Sequence, residues 1–203
     1  MEAVYIDLDG TLLSFTREYD DLVADAFRRV EGECRDEWIT TYGERFFELF
    51  EAQEPSPSER AFAAMSDRPE ALADALLEAE VDASEPPPGL RRDLSLLGTD
   101  RRLGVLTNGV PEWQRRKLSA HDLTEEFDAI VTSYEAGAHK PAPEPFSLAE
   151  ERLPADDYVM IGDADADVEG ARRAGWAARR YRRDDHGGIA AAVIGHGDDV
   201  DPG

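Results

Sequence analysis

Ala3-Val4-Tyr5-Ile6-Asp7-Leu8-Asp9-Gly10-Thr11-Leu12 runs from a short apolar segment straight into two carboxylates separated by one residue. Residues 3–8 read as a strand, with Val4 to Ile6 as its apolar run. Side chains two apart on a strand point the same way, so Asp7 and Asp9 form a pair. In a parallel α/β sheet ligands sit beyond the carboxyl ends of the strands, which directs this pair into a site rather than into the core. Gly10 lets the chain leave the strand at a sharp angle. One reading is a carboxylate pair that binds a cation and attacks phosphorus. The other is an acidic strand-to-helix turn with Asp as a cap.

The sequence downstream has the context the first reading needs. After Glu85-Pro86-Pro87-Pro88-Gly89, a linker by composition, strands alternate with helices. Strands are predicted over 102–106, 128–132, 158–161 and 176–181, and helices over 90–98, 111–120, 144–152 and 166–174. That alternation implies a parallel sheet with crossover helices. Between residues 14 and 85 there is no strand signal. Helical spacing marks 19–30, with Leu22, Val23, Ala26, Phe27 and Val30, and then 34–53, 58–66 and 69–79. The stripe Trp38, Tyr42, Phe46, Phe47 and Phe50 is expected to be core packing. The expected organisation is a discontinuous core (1–14 and 86–183), a helical insertion (15–85) and a loosely ordered tail (184–203).

Asp-Leu-Asp-Gly-Thr resembles the first motif of the haloacid dehalogenase (HAD) superfamily. Leu106-Thr107-Asn108-Gly109, Lys140-Pro141 and Ile161-Gly162-Asp163-Ala164-Asp165-Ala166-Asp167 follow in the order of that family. The resemblance implies an α/β, Rossmann-like parallel-sheet core with an inserted all-helical cap of the C1 type. It implies a Mg²⁺-dependent phosphomonoester hydrolase working through an aspartyl phosphate. Asp7 is then the nucleophile, Asp9 the general acid and base, and Lys140 the group that offsets negative charge. Thr107, Asn108, Gly109 and Lys140 would bind phosphate. Asp7, Asp163 and the main-chain carbonyl of Asp9 would bind Mg²⁺, with Asp167 near the metal or its waters and Asp165 spare.

Residue chemistry agrees with these roles. Mg²⁺ takes oxygen ligands and uses one or two carboxylates plus substrate phosphate. A carboxylate nucleophile gives an intermediate that water can cleave. An Asp at position 9 favours phosphoryl transfer over dehalogenation, because halide needs no proton. Asp163 to Ala174 is not a calcium loop of the EF-hand kind: its sixth and twelfth positions are Val168 and Ala174 instead of Gly and Glu. Phe15, Arg17 and Tyr19 lie where the helical insertion begins and could reach a substrate, or could be ordinary packing and surface residues. His121, His139, His186 and His196 read as structural. The alternatives are phosphoglucomutase-type transfer, dehalogenation, or a non-catalytic binding protein on the same fold.

Composition bounds the partners. A net charge of −23, from 45 Asp+Glu against 22 Lys+Arg, repels nucleic acid and anionic lipid. No apolar stretch of 18 residues is present, the N-terminus does not read as a signal peptide, and Cys34 stands alone. The expected setting is cytoplasmic and the expected partner a small anionic phosphorylated metabolite. Only two of the cations are lysines, Lys117 and Lys140, against 20 arginines. Acidity with so few lysines suggests a halophilic protein adapted to a high-salt cytoplasm; the plain alternative is a generic acidic protein.

Overall fold

The computed structural model of the protein describes residues 1–182 and 188–194. The chain begins with β1 (Glu2–Ile6), and Ala3 to Ile6 are all fully buried. A strand covered on both faces reads as a continuous apolar run rather than an alternation, as in parallel sheets. The other strands of the sheet are β4 (Arg102–Thr107), β5 (Ala129–Thr132), β6 (Asp157–Gly162) and β7 (Ala177–Arg180). Between β1 and β4 come two short strands, β2 (Ser14–Phe15) and β3 (Ser84–Glu85). The sheet order is β5-β4-β1-β6-β7, all parallel, with β1 at the centre. Chain direction across the sheet reverses next to β1, so the crevice beyond its carboxyl end is the natural ligand position.

Val4 and Ile6 face one side of the sheet, Ala3 and Tyr5 the other. The first side is covered by α5 (Leu90–Leu97), α6 (Pro111–Ala120) and α10 (Ile189–Ile194), through Leu90, Leu94, Leu97, Leu118 and Ile189. The second is covered by α8 (Pro143–Arg152) and α9 (Asp165–Arg173), through Phe146, Ala149 and Ala171. The four-residue α7 (Ser133–Ala136) caps the end of β5. The tail expected to be loose is therefore partly ordered: Ile189, Ala190 and Ala192 are buried against the core. Glycines on either side of that apolar run obscured it in the sequence. The remainder of the tail, with His186 and His196, lies outside the described residues.

Residues 14–85 form a separate helical layer. It holds α1 (Tyr19–Glu31), α2 (Asp36–Glu51), α3 (Pro57–Phe62) and α4 (Pro69–Ala83). The antiparallel pair β2 and β3 ties its two ends together, Ser14 opposite Glu85 and Phe15 opposite Ser84. Its apolar residues make their own cluster around Leu22, Phe27, Tyr42, Phe62, Leu72 and Leu76. The aromatic stripe of α2 is core packing only in part: Trp38, Tyr42 and Phe46 join the cluster, as the spacing suggested. Tyr42 is buried, but Phe47 is 64% exposed and Phe46 and Phe50 line a cavity. Helical spacing shows which residues share a face; it does not say whether that face meets packed protein or an open space. No described helix is long and apolar enough to cross a membrane.

Because the helical layer has its own apolar cluster, damage there should stay local. Phe62 is fully buried, stacked on Tyr42 at 4.2 Å and edge-on to Phe27 at 5.3 Å. Phe62→Ala should cost about 3–5 kcal/mol. Amide-exchange protection should fall across α1–α4 and hold in β1 and β4. An equal fall over the sheet would show that the layer and the sheet unfold as one unit.

Candidate active site

Residues 7–13 wind into a tight loop off the end of β1. Leu12 N–H donates to Asp7 O at 3.3 Å, Leu13 N–H to Leu8 O at 2.9 Å and Gly10 N–H to Leu13 O at 2.8 Å. Gly10 has φ +89°, and a Cβ there would sit 2.5 Å from Asp163 Oδ2. Glycine therefore serves both the turn and the close approach of the two acidic segments. Gly162 does the same at the end of β6, where a Cβ would fall 2.2 Å from Asp167 Oδ2.

Asp7, Asp163 and Asp167 converge, each offering an oxygen within 4.8 Å of the others. Lys140 Nζ donates to Asp7 Oδ1 at 2.7 Å, Asp167 Oδ1 at 2.6 Å and Leu106 O at 2.7 Å. Burial pushes the Asp7 carboxyl up; Lys140 opposes this, and Asp167 and Asp9 reinforce it. Burial alone would lower Lys140, but Asp7 and Asp167 outweigh it and the ammonium is held above its ordinary value. Thr11 Oγ1 donates to Asp163 Oδ1 at 3.0 Å. Asp167 acts as the third residue of α9: its Oδ2 accepts from Ala164 N–H at 3.0 Å, so it closes the helix start while facing Lys140. Asp165 turns outward and pairs with Arg180.

The segment after β4 serves Lys140. Asn108 Oδ1 accepts from Lys140 N–H at 2.8 Å, and Asn108 Nδ2 donates to Lys140 O at 3.1 Å, a two-point clamp on its backbone. Gly109 N–H donates to Ser133 Oγ at 3.0 Å, so this amide already has a partner. Ser133 Oγ lies 2.8 Å from His139 Nδ1, whose Nε2 lies 2.7 Å from Phe50 O. A His139 with its proton on Nε2 satisfies this chain, which links α2 to the loop after β4. Its place is structural, as the sequence suggests.

Asp9 faces the helical layer, and two residues that sequence reasoning left out hold it. Lys117 Nζ donates to Asp9 Oδ1 at 2.6 Å, and Gln114 Nε2 lies 2.8 Å from Asp9 Oδ2 and 2.7 Å from Thr107 Oγ1. Both carboxylate oxygens of Asp9 are acceptors in this arrangement. Thr107, buried, accepts from Gln114 and keeps its own hydroxyl proton to donate. Lys117 is also 3.6 Å from Glu80 Oε2, and Tyr19 OH donates to Glu80 Oε1 at 2.9 Å. Burial would lower Lys117, but Asp9 and Glu80 raise it on balance. Burial pushes Glu80 up to about 7; Lys117 opposes this and Asp9 adds to it. The scarcity of lysine that singles out Lys140 pointed equally to Lys117. No sequence signal marked Gln114 or Glu80.

A cavity of about 240 Å³ opens beside Asp9, between α6 and the helical layer. Phe15, Tyr19, Phe46, Phe50 and Trp113 supply its apolar walls, and Ser58, Glu80, Asn108, Gln114 and Lys117 its polar groups. Of the three residues expected near the hinge, Phe15 and Tyr19 reach this cavity. Arg17 turns instead to Asp25 at 2.8 Å.

Acidic groups from two strand ends gathered around one buried lysine, at the carboxyl edge of a parallel sheet, define the site. Residues 1–175 match the family model of haloacid dehalogenase-like hydrolases, and the chain belongs to that family. A phosphoserine phosphatase of Thermus thermophilus is 39% identical over 90 residues, 41% of this chain and 36% of that protein. The pyrimidine 5′-nucleotidase YjjG of Escherichia coli is 31% identical over 129 residues, 60% of this chain and 57% of that protein. The chain thus aligns with less than two thirds of either relative. The crystal structure of a HAD phosphatase from Thermococcus onnurineus superposes with TM-score 0.64 at 27% identity, covering 91% of this chain and 88% of that one.

Glu80 gives the site a stability signature. Its folded value of about 7 stands above the ordinary 4.5, so its contribution is fully present below pH 4.5 and is lost as pH rises through 7. The stability difference between wild type and Glu80→Gln should therefore shift by about 2–4 kcal/mol in the variant's favour from pH 4.5 to pH 8. Urea unfolding at the two pH values measures it. Parallel pH profiles would mean that Glu80 is not held in this buried, unbalanced environment.

Proposed function

We propose that the protein is a Mg²⁺-dependent phosphomonoester hydrolase that works through an aspartyl phosphate on Asp7. The observation that carries this is the convergence of Asp7, Asp163 and Asp167 on Lys140, with Asp9 turned to the adjoining cavity. The donor set fits a hard dication. All three groups are carboxylates, and one lysine among three leaves two negative charges uncompensated. Asp7, Asp163 and the main-chain carbonyl of Asp9 would hold Mg²⁺, with Asp167 beside its waters. When bound, the cation neutralises phosphate charge and orients the phosphoryl group for in-line attack.

The chain's own residues do the rest. The Asp7 carboxylate attacks phosphorus; a P–O bond to Asp7 forms as the P–O bond to the alcohol breaks. Asp9 gives the leaving oxygen its proton, and then takes one from the water that cleaves the acyl phosphate. A positioned acid of this kind is worth roughly 10²–10⁴ in rate. To carry the proton, Asp9 has to release Lys117 or Gln114 from one of its oxygens. Lys140 offsets the charge of Asp7 and phosphate, and the Thr107 hydroxyl donates to a phosphate oxygen. Asn108 acts by fixing Lys140, and Gly109 reaches phosphate only by leaving Ser133.

Residues 15–85 are proposed to be the cap that closes over the site and excludes water. The names of the relatives, a phosphoserine phosphatase and a pyrimidine nucleotidase, support a phosphate ester and do not select one. Asp9 supports phosphoryl transfer over dehalogenation. The working environment proposed is a high-salt cytoplasm.

Phosphate release from a generic aryl phosphate should require Mg²⁺, stop with EDTA, and fall below detection in Asp7→Asn with the circular dichroism unchanged. Turnover near the wild-type rate in Asp7→Asn would remove Asp7 from the role; full activity after exhaustive chelation would remove the metal.

Salt tests the halophilic reading separately. At −23 the folded chain concentrates like charge, and the screening length falls from about 30 Å at 0.01 M to about 3 Å at 1 M. The melting temperature should rise steadily from low to molar KCl. A flat or falling curve would reject the halophilic reading and leave the phosphatase reading standing.

A further inference from the structure

Resting on the phosphatase reading above, we infer that the alcohol half of the substrate is an uncharged nucleoside carrying a single-ring base. The argument starts from charge. Among the described residues lining the cavity beside Asp9, the one cation is Lys117. Its ammonium is already committed, 2.6 Å from Asp9 and 3.6 Å from Glu80. Its remaining neighbour is the Phe15 ring, 5.9 Å from Nζ. Two carboxylates thus share one ammonium.

A second anionic group on the substrate would be stripped of water here, beside Asp9 and Glu80, with no free cation to receive it. Arg17, the nearest arginine in sequence to the hinge strand β2, is turned away to Asp25. Esters that carry a carboxylate or a second phosphate on the alcohol half are therefore rejected. Esters of neutral alcohols are not.

The walls select among neutral alcohols. Phe46 and Phe50 from α2 lie with ring centroids 5.4 Å apart, and Trp113 of α6, Phe15 and Tyr19 complete an aromatic lining. Aromatic walls favour a flat unsaturated ring, which stacks on them, over a free sugar. The volume of about 240 Å³ lies below the usual range of about 300–1,000 Å³ for drug-sized ligands, which favours one ring over a fused pair.

Two polar groups match the edge of such a base. Glu80 Oε2, 3.6 Å from Lys117, has acceptor capacity to spare. Ser58 Oγ accepts from Tyr42 OH at 3.3 Å and retains its own proton to donate. A ring bearing both N–H and C=O meets an acceptor and a donor.

The test is phosphate release with Mg²⁺ from uridine, cytidine and adenosine 5′-monophosphates, ribose 5-phosphate, phosphoglycolate, ribulose 1,5-bisphosphate and p-nitrophenyl phosphate. The expected kcat/KM for the pyrimidine nucleotides is about 100-fold above phosphoglycolate and ribulose bisphosphate, and about 10-fold above the adenosine nucleotide and ribose 5-phosphate. Glu80→Gln should narrow the ratio of uridine monophosphate to phosphoglycolate about tenfold, and Phe50→Ala, on a half-exposed helix face, should raise the nucleotide KM about tenfold.

Equal or better turnover of phosphoglycolate, the bisphosphate or ribose 5-phosphate overturns the inference. If p-nitrophenyl phosphate alone is hydrolysed, the inference falls and the phosphatase reading survives. If no ester is hydrolysed, the phosphatase reading falls, and calorimetric titration decides the inference separately. Uridine monophosphate binding about tenfold or more tighter than phosphoglycolate upholds it, and equal or absent binding overturns it.

Discussion

One buried ammonium sets the geometry on which the rest of the site depends. Lys140 Nζ has three N–H donors, and all three are used: on Asp7 beyond β1, on Asp167 in α9 beyond β6, and on the Leu106 carbonyl of β4. The three partners come from the three adjacent central strands or from what directly follows them. Stripping a lysine of water costs several kcal/mol, and the cost is offset only where every donor finds an oxygen. A planar guanidinium presents its donors as a fork and could not reach three oxygens arranged around one point. A chain with 20 arginines keeps a lysine here for that reason; Lys117 is buried likewise, with a hydrogen bond to Asp9 and with Glu80 3.6 Å away.

The two lysines also separate the electrostatics of the site from those of the surface. Outside, arginines pair with carboxylates at exposed positions: Arg17 and Arg28 with Asp25, Arg35 with Glu33, Arg173 with Glu169. Such pairs contribute about 0–1 kcal/mol each and weaken with salt. Inside, Lys140 and its partners Asp7 and Asp167 are all buried, and their pairs are largely beyond the reach of screening; Lys117 is buried too, but its partner Asp9 is 39% exposed. A surface that salt can modulate therefore encloses a centre around Lys140 whose charge arrangement salt barely changes.

What the sequence discloses follows from how local each feature is. The sheet is legible because its strands are apolar runs a few residues long, each ending in a motif. The Asp-x-Asp pair, Asp163 and Lys140 are legible because each sits within three residues of a strand end or beside a proline. The cavity side of the site is not. Gln114 and Lys117 lie one turn apart on α6 and Glu80 lies on α4; the packing of α6 on the sheet brings the first two to Asp9, and the helical layer brings the third to Lys117. The α2 stripe was legible only in part for a related reason. Its periodicity is real, but Phe46 and Phe50 face a cavity that no single helix can announce. Asn108 was legible as a motif residue, yet its two hydrogen bonds to the Lys140 backbone depend on a loop 32 residues away.

That non-local half gives the helical layer a physical hold on the chemistry. Tyr19 and Glu80 belong to α1 and α4, whereas Lys117 and Asp9 belong to the sheet-bearing part of the chain. Displacing the layer from α6 would take Glu80 from Lys117 and leave that ammonium with Asp9 alone. Displacement would also admit water to Lys117, and its pair with Asp9 would weaken toward that of an exposed ion pair. Bringing Glu80 back excludes that water and returns the ammonium to two carboxylates. The helical layer thereby reaches Asp9 through Tyr19, Glu80 and Lys117.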